Sequence, residues 1–538
     1  MKNPIPQTTP STRPRFSPSP CGSKELDESY APLKSIKDKD NWLPLLRCPA
    51  DFPLELFETA ISQLIHHPEY NSTLILRSET VAEASADDIT FPSSLPYFKG
   101  LHSIRVVHRK LLPRRPGRDA GLEQYCTLYA FSDGDSADIP STLVLSPIVP
   151  EGGTLPYYHP TVFHLALRYI PSTSSTQPNL SIEVVPFPDT PTDLNSRLYR
   201  TCLALLDTLH RYGWGALTNY RKRVLHDCLV PRDAYQDLYL VMRERHKHIV
   251  QEWKEVTDPL KHVFEDIGIA TFLMLLWKDT FEGAPHAVTS SSDGSEDPPW
   301  KIWPRPPGGF VDLGCGNGLL THILISEGYQ GNGIDVRARM SWEHYPKDTS
   351  DSLHVHALDP TTLSATPDAD DLGMNMDPYL KHGAFIIGNH ADELTPWLPV
   401  LATLTQSSGY LSIPCCAWSF DSRYTRSAPT EYTDPKGGLS DADFIDRLNL
   451  GGDGSNASSY SMYRIWLARL SQWCGWKIEC ETLRIPSTRN WAIIGRTRIT
   501  MGEDQDRRTL QRTHDIINNV RQKGLFKTRK PEGKAGEH

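Results

Sequence analysis

The spacing of apolar positions changes several times along this chain. Between Trp42 and Val185 they fall in short runs, Ser72–Arg77, Ile104–His108, Gln124–Phe131 and Ser181–Val185, rich in β-branched and aromatic residues and separated by Pro and Gly. Such runs predict strands, and residues 41–194 are expected to form an N-terminal α/β domain, α/β or α+β in topology. Over 195–281 the period becomes helical. Leu203, Leu206 and Leu209 share one face, Tyr235, Leu238, Met242 and Ile249 recur at helical spacing, and Phe264–Trp277 predicts a buried helix. Residues 282–299 carry the run TSSSDGSEDPP and read as a flexible linker. A second module spans 300–500, where short apolar strands alternate with helices. The ends, 1–40 and 501–538, are polar tails expected to be disordered, the second basic with one amphipathic stretch.

Composition narrows the class. The chain has 538 residues, too many for one ordinary core, and a formal charge of −9. A nucleic-acid partner would therefore meet local basic patches rather than a polycation. Three such runs stand out: Arg105–Arg115, Arg221–Arg223, and the stretch from Arg507 to Lys534 with nine Lys or Arg against Asp515 and Glu532. The ten cysteines are scattered, with no C-x-x-C pair and no Cys/His spacing suited to zinc, so no metal is expected and the thiols read as reduced. The N-terminus has no apolar signal core. The longest apolar run, Ile267–Trp277, is too short to span a bilayer, so a soluble intracellular protein without a membrane partner is expected.

The segment Gly309–Leu320 carries the clearest chemistry. Phe310, Val311 and Leu313 suit a buried parallel strand, followed by Gly314-Cys315-Gly316-Asn317-Gly318 and an apolar helix. Alternate glycines let the backbone turn sharply and approach a ligand. A pyrophosphate fingerprint reads G-x-G-x-x-G. Here the pattern is G-x-G-x-G with Asp312 two residues ahead, which suits S-adenosylmethionine. Asp335 lies 335 − 314 = 21 residues beyond the first glycine, at a second strand end where a carboxylate accepts ribose hydroxyls. Asp359, after a third candidate strand Leu353–Leu358, is placed for the adenine amino group.

The fourth strand, Ala384–Gly388, runs into Asn389-His-Ala-Asp-Glu-Leu-Thr-Pro-Trp397. In doubly wound sheets the ligand crevice lies at carboxyl strand ends, so Asn389 joins the cofactor set, and His390, Asp392 and Glu393 are candidates for accepting a proton from a hydroxyl acceptor. The plain alternative is that the two acids cap the next helix. After the fifth strand, Gly409–Ile413, Pro414-Cys-Cys-Ala-Trp418 should line the same pocket, its cysteines small buried residues rather than nucleophiles. Arg484, Ser487 and Arg489, in a loop before the last strand, suit a phosphate or ribose. Asp297-Pro-Pro-Trp300 matches the tetrapeptide of adenine-N6 methyltransferases, but it stands in the Ser-rich linker and reads as a decoy.

Together these segments resemble the eukaryotic tRNA uridine 2′-O-methyltransferases that act at uridine-44 of serine tRNA. The likeness is carried by Tyr235–Tyr239, Thr257–Ile267, Phe310–Leu320, Gly333–Arg337, Gly388–Trp397, Ile413–Cys416 and Arg484–Asn490. It implies a Rossmann-like class I methyltransferase domain with a doubly wound seven-stranded sheet, S-adenosylmethionine as cofactor, tRNA as partner and a cytoplasmic setting. Many ribose methyltransferases use a Lys-Asp-Lys-Glu tetrad. Asp392 is present, but no lysine stands at the flanking strand ends. His390 or an arginine takes that part, or positioning alone suffices. His390 with Asp392 is the expected catalytic pair. The rivals are methylation of an RNA base or protein side chain, and a non-catalytic tRNA-binding module.

Overall fold

Among the described residues, eight strands and two α-helices build the first part of the chain. β1 (Ser19–Pro20), β2 (Leu43–Pro49), α1 (Phe57–His66), β3 (Ile75–Ser85), β4 (Leu101–Pro113), β5 (Leu122–Phe131), β6 (Pro140–Ile148), β7 (Val162–Ile170), β8 (Asn179–Pro186) and α2 (Arg197–Leu217) follow in order. The computed structural model describes residues 12–21, 32–36, 41–85, 95–115, 118–132, 138–149, 153–172, 177–220, 225–282, 297–363, 377–420, 422–425, 444–445, 448, 458–499, 502–524 and 526–527. It divides into two units, Met1–Arg221 and Lys222–His538.

In the first unit the sheet runs β1-β2-β8-β7-β6-β5-β4-β3 with every pair antiparallel. Of the two topologies expected, α/β and α+β, the sheet has the second. Among the described residues from β3 to β8, no helix intervenes to carry a strand back in parallel. Period-two alternation assigns the faces: Leu143, Leu145, Leu165 and Leu167 join the core under α1 and α2, while Val144 and Ala166 pack on the other side. Part of the segment expected to be a disordered tail is ordered. β1 pairs with β2, Leu33 is buried, and Ser35 bridges Phe98.

The second unit contains α3 (Arg232–His246), α4 (Pro259–Thr280), β9 (Phe310–Leu313), α5 (Leu319–Ser326), β10 (Gly331–Asp335), β11 (Leu353–Val355), β12 (Phe385–Asn389), α6 (Leu398–Leu404), β13 (Gly409–Ile413), α7 (Ser459–Trp473), β14 (Trp476–Thr482), β15 (Trp491–Arg498) and α8 (Glu503–Lys523). Its sheet order is β11-β10-β9-β12-β13-β15-β14. The pairs from β11 to β13 are parallel, and β15 is antiparallel to both its neighbours. Along β9 and β12, Phe310, Phe385 and Ile387 face the layer containing α4 and α5, while Val311, Leu313 and Ile386 face the layer containing α6, α7 and α8. The sheet is buried on both sides, which is why its strands read as continuous apolar runs.

The helical stretch 195–281 therefore does not form one body: α2 belongs to the first unit, α3 and α4 to the second. Helix α4 starts where Asp258 accepts a hydrogen bond from the Leu260 amide and Pro259 occupies the first turn. From Ile267 to Trp277 it is apolar all round because it is buried all round. The second tail also holds a helix. Ile516, Ile517 and Val520 of α8 are buried in the α6 and α7 layer, enough apolar surface to order a segment otherwise polar. The expectations for 283–296 and 528–538 lie outside the described residues. Among the described residues, no helix is long and apolar enough to cross a membrane.

Glu327, just past α5, is buried and accepts hydrogen bonds from His246 (2.7 Å), both Arg245 nitrogens (2.8 and 3.1 Å) and the Trp300 indole (2.7 Å). This gives Asp297-Pro-Pro-Trp300 its role: Trp300 anchors the chain into the second unit, and Lys301 pairs with Asp297 at 2.5 Å. Burial pushes the Glu327 carboxyl up, but the bonds from His246, Arg245 and Trp300 outweigh it and hold it below the usual range. A depressed carboxyl stabilises the fold above its unfolded-state value of about 4.3, and that stability is lost as pH falls through the folded value. Glu327→Gln should lower stability at pH 7 by about 3 kcal/mol, read as the urea midpoint, with the gap to wild type closing in acid.

Candidate active site

The turn after β9 is held by backbone and side-chain bonds rather than by packing alone. The Gly314 and Cys315 amides donate to the Ile334 carbonyl at 2.9 and 3.0 Å, tying the turn to β10. The Gly316 amide donates to Asp335 Oδ2 at 2.9 Å, and Asn317 Oδ1 accepts from the Leu319 amide at 3.0 Å, closing the first turn of α5. Two glycines have different reasons to be there. At Gly318 (φ +76°) a Cβ would stand 2.8 Å from Leu353, so it serves helix–strand packing. At Gly316 (φ +55°) a Cβ would meet nothing within 4 Å, because that position faces open space.

That space is a cavity of about 710 Å³ at the carboxyl ends of β9, β10, β12 and β13. It lies where the strand order reverses between β9 and β12, the switch point at which open α/β sheets bind ligands. Gly314, Cys315, Gly316, Asn317 and Asp335 line it, with Asn389, His390, Asp392 and Glu393 from the end of β12, and Ser487 and Arg489 from the loop before β15.

His390 and Asp392 both adopt left-handed backbone (φ +57° and +44°), uncommon outside glycine and characteristic of functional turns. His390 Nε2 lies 3.2 Å from Glu265 Oε1, and the Asn389 side-chain amide donates to Asp266 at 3.3 Å. Burial pushes the Glu265 carboxyl up. Its hydrogen bond with His390 and that group's charge, helped by Ser487 and Lys261, hold it below the usual range. Asp266 moves the other way: burial, with the charges of Asp312 and Glu265, raises it well above the usual range.

Glu265, Asp266, Lys261 and His262 line the same cavity from the first half of α4. Sequence reasoning assigned them no role. The available signal was two adjacent acids at the head of an apolar run, an expensive pair to bury without a task. Lys261 is a lysine in this cavity, delivered by a helix rather than by a strand end.

Four predicted residues do not line the cavity. Asp312 lies behind the turn, buried, with Oδ2 accepting from the Thr321 hydroxyl at 3.1 Å and Oδ1 without a partner. Gly318 packs as described. Asp359 turns to its own neighbour, accepting from the Thr361 amide and hydroxyl at 2.9 and 2.6 Å, and His356, Ala357 and Leu358 line the cavity instead. Arg484 is clamped on Asp227 by two bonds of 2.6 and 2.5 Å. Cys415 lines the cavity, with burial and the charges of Asp392 and Cys416 pushing its thiol up, away from nucleophilic use.

The basic runs are partly spent inside the fold. Arg109 is buried, bonded to Gln124 and to the Leu64 carbonyl, and Arg105 pairs with Glu58. On α8, Arg512 stacks over Trp473 and Arg521 bonds the Thr361 carbonyl. The run 221–223 lies outside the described residues.

The cavity fits S-adenosylmethionine on the structure's own terms. It offers a glycine turn that no side chain fills, a strand-end carboxylate, an unpartnered Asn389 oxygen and a surplus of acids around a site for a cation. Residues 229–293 and 303–360 match the family model described as "Predicted AdoMet-dependent methyltransferase", and residues 19–223 match "TRM44-like, N-terminal bet v1-like domain". The second unit is accordingly the methyltransferase domain of an S-adenosylmethionine-dependent enzyme.

Proteins named tRNA (uracil-O(2)-)-methyltransferase align over most of their length. That of Schizosaccharomyces pombe is 34% identical, covering 86% of this chain and 86% of its own. That of Neurospora crassa is 32% identical over 90% and 92%, and that of Candida glabrata 31% over 84% and 88%. No solved structure matches. The chain belongs to the TRM44-like family of tRNA (uracil-O(2)-)-methyltransferases.

Burial, with the charge of Asp335, raises the Asp312 carboxyl to about 7 against the Thr321 hydrogen bond. A raised carboxyl favours the fold below its unfolded value of about 3.9, and that contribution is lost as pH rises through about 7. Asp312→Asn should therefore melt with wild type in acid and gain on the order of 2–4 kcal/mol by pH 8. Thermal unfolding across that range checks it.

Proposed function

We propose that this chain transfers a methyl group from S-adenosylmethionine to the ribose 2′-hydroxyl of a uridine in tRNA, namely uridine-44 of serine tRNA. The relatives, named as tRNA (uracil-O(2)-)-methyltransferases, support the tRNA acceptor. The particular nucleotide and isoacceptor rest on the resemblance of the Thr257–Ile267 and Asn389–Trp397 blocks. The sheet order with helices on both faces supports a Rossmann-like, doubly wound class I domain. Ten free thiols suit work in the cytoplasm.

The observation that carries the reading is the His390–Glu265 pair at the strand end beside the glycine turn. The cofactor supplies an electrophilic methyl on a sulfonium. With Nε2–H donating to Glu265, the His390 ring keeps Nδ1 to accept the proton of the 2′-hydroxyl, a tautomer assigned from that hydrogen bond. The ionised Glu265 carboxylate stabilises the imidazolium that results, and Ser487 holds the carboxylate. Asp392 and Glu393 line the same cavity next to His390. Gly314–Asn317, Asp335 and Asn389 hold the cofactor, with Asp312 and Gly318 supporting the turn from behind. Arg489, stacked 3.9 Å over Tyr460, offers its guanidinium to a phosphate.

His390→Ala should lower kcat by roughly 100-fold or more while leaving S-adenosylmethionine affinity unchanged by titration calorimetry. Glu265→Gln should cost less and shift the acid limb of the pH profile. Full turnover in both variants removes the pair from the reaction. Incubation with labelled cofactor and unmodified tRNA transcripts, followed by alkaline hydrolysis, identifies the acceptor. The expected product is an alkali-resistant dinucleotide containing uridine-44 from serine transcripts. An alkali-sensitive labelled nucleotide means base methylation, and no label in any RNA means a binding module or a protein acceptor.

A further inference from the structure

Asp392, Cys415 and Cys416 converge at one corner of the cavity, with one donor atom from each lying within 4.8 Å of the others. Three features make the convergence more than proximity in sequence. Adjacent residues of a strand point to opposite faces, so both sulfurs reach one carboxylate only because the chain leaves β13 at Ile413 and bends at Cys416. Asp392 comes from 23 residues earlier, and the left-handed backbone there (φ +44°) turns its carboxylate toward the Cys415 thiol, which donates to Oδ1 at 3.5 Å. All three residues are only partly exposed, and Asp392 and Cys415 open on the cavity.

We propose that Asp392, Cys415 and Cys416 form a binding site for a borderline-soft divalent cation of the zinc class, with the fourth coordination position open to the cavity. Two thiols and a carboxylate suit such an ion, and a tetrahedral centre with three protein ligands leaves one position for water. The balance is M²⁺ plus two thiols and one carboxylate giving the bis-thiolate carboxylate complex and two released protons. The cation replaces the two thiol protons, so the complex keeps the single net negative charge of the metal-free cluster. The site stands on its own geometry.

The test needs neither cofactor nor RNA, so its outcome is independent of the proposed reaction. Full-length protein, reduced with a non-chelating phosphine, is titrated with Cd²⁺ while the thiolate-to-cadmium charge-transfer absorbance is followed, and Zn²⁺ is then added as a competitor. The expected result is one equivalent of Cd²⁺ bound with a thiolate band that Zn²⁺ displaces. Calorimetry in buffers of different ionisation enthalpy should show about two protons released per metal, so affinity tightens with pH. Cys415→Ser with Cys416→Ser should abolish the band, Asp392→Asn should weaken binding about tenfold or more, and Cys228→Ser, removing an exposed thiol elsewhere in the same unit, should change nothing. Cys416→Ser alone, which leaves the cavity-lining thiol in place, should also lose tight binding if the double variant fails to fold. The proposal is overturned by the absence of a band at one equivalent, by a band that survives loss of both cysteines, or by one that disappears with Cys228.

Discussion

Much of the second unit depends on how helix α4 is buried. Trp277 is fully buried against Phe310 of β9 and Phe385 of β12, with ring centroids 6.1 and 5.5 Å apart, and Tyr329 closes the same cluster at 5.2 Å. Burying aromatic side chains of this size contributes roughly 1.5–3 kcal/mol each before specific ring contacts. This packing pins the C-terminal half of α4 to the middle of the sheet. Twelve residues earlier, about 18 Å along the helix, Glu265 and Asp266 are carried to the strand ends. A helix free to slide by one turn would separate Glu265 from His390 and Asp266 from Asn389.

The acids brought together in this way are costly to hold in a buried place, and the fold handles each differently. Glu265 is kept ionised by His390 and its neighbours. Asp312 and Asp266 are compensated only by single neutral donors, Thr321 and Asn389, and burial pushes them toward their neutral forms. The glycine turn is consequently backed by carboxyls that a cationic cofactor can draw into the charged state. Stability and binding are opposed here, as expected where a site is built from groups the core would not otherwise accept.

Residues that look like binding motifs in isolation are often consumed by the structure. Trp300 of the Asp-Pro-Pro-Trp tetrapeptide satisfies Glu327, Arg109 of the first basic run ties a strand to α1, and Arg484 holds Asp227. Charge patterns say where a cation is, while burial and partners decide whether it is available.

The order of strands from β9 to β13, the glycine turn and the strand-end positions of Asp335, Asn389, His390 and Asp392 were legible in the sequence, because strand, turn and helix are local and glycines at fixed spacing mark the backbone that requires them. The antiparallel first sheet was not: short apolar runs do not state whether their neighbours are parallel. Nor was the ordering of α8, whose few apolar residues matter only against a partner surface. The convergence of Glu265 on His390, and of Asp392 on Cys415, was decided by tertiary structure alone. Those groups lie 125 and 23 residues apart, and only the packing of helices onto a twisted sheet sets distances across such separations.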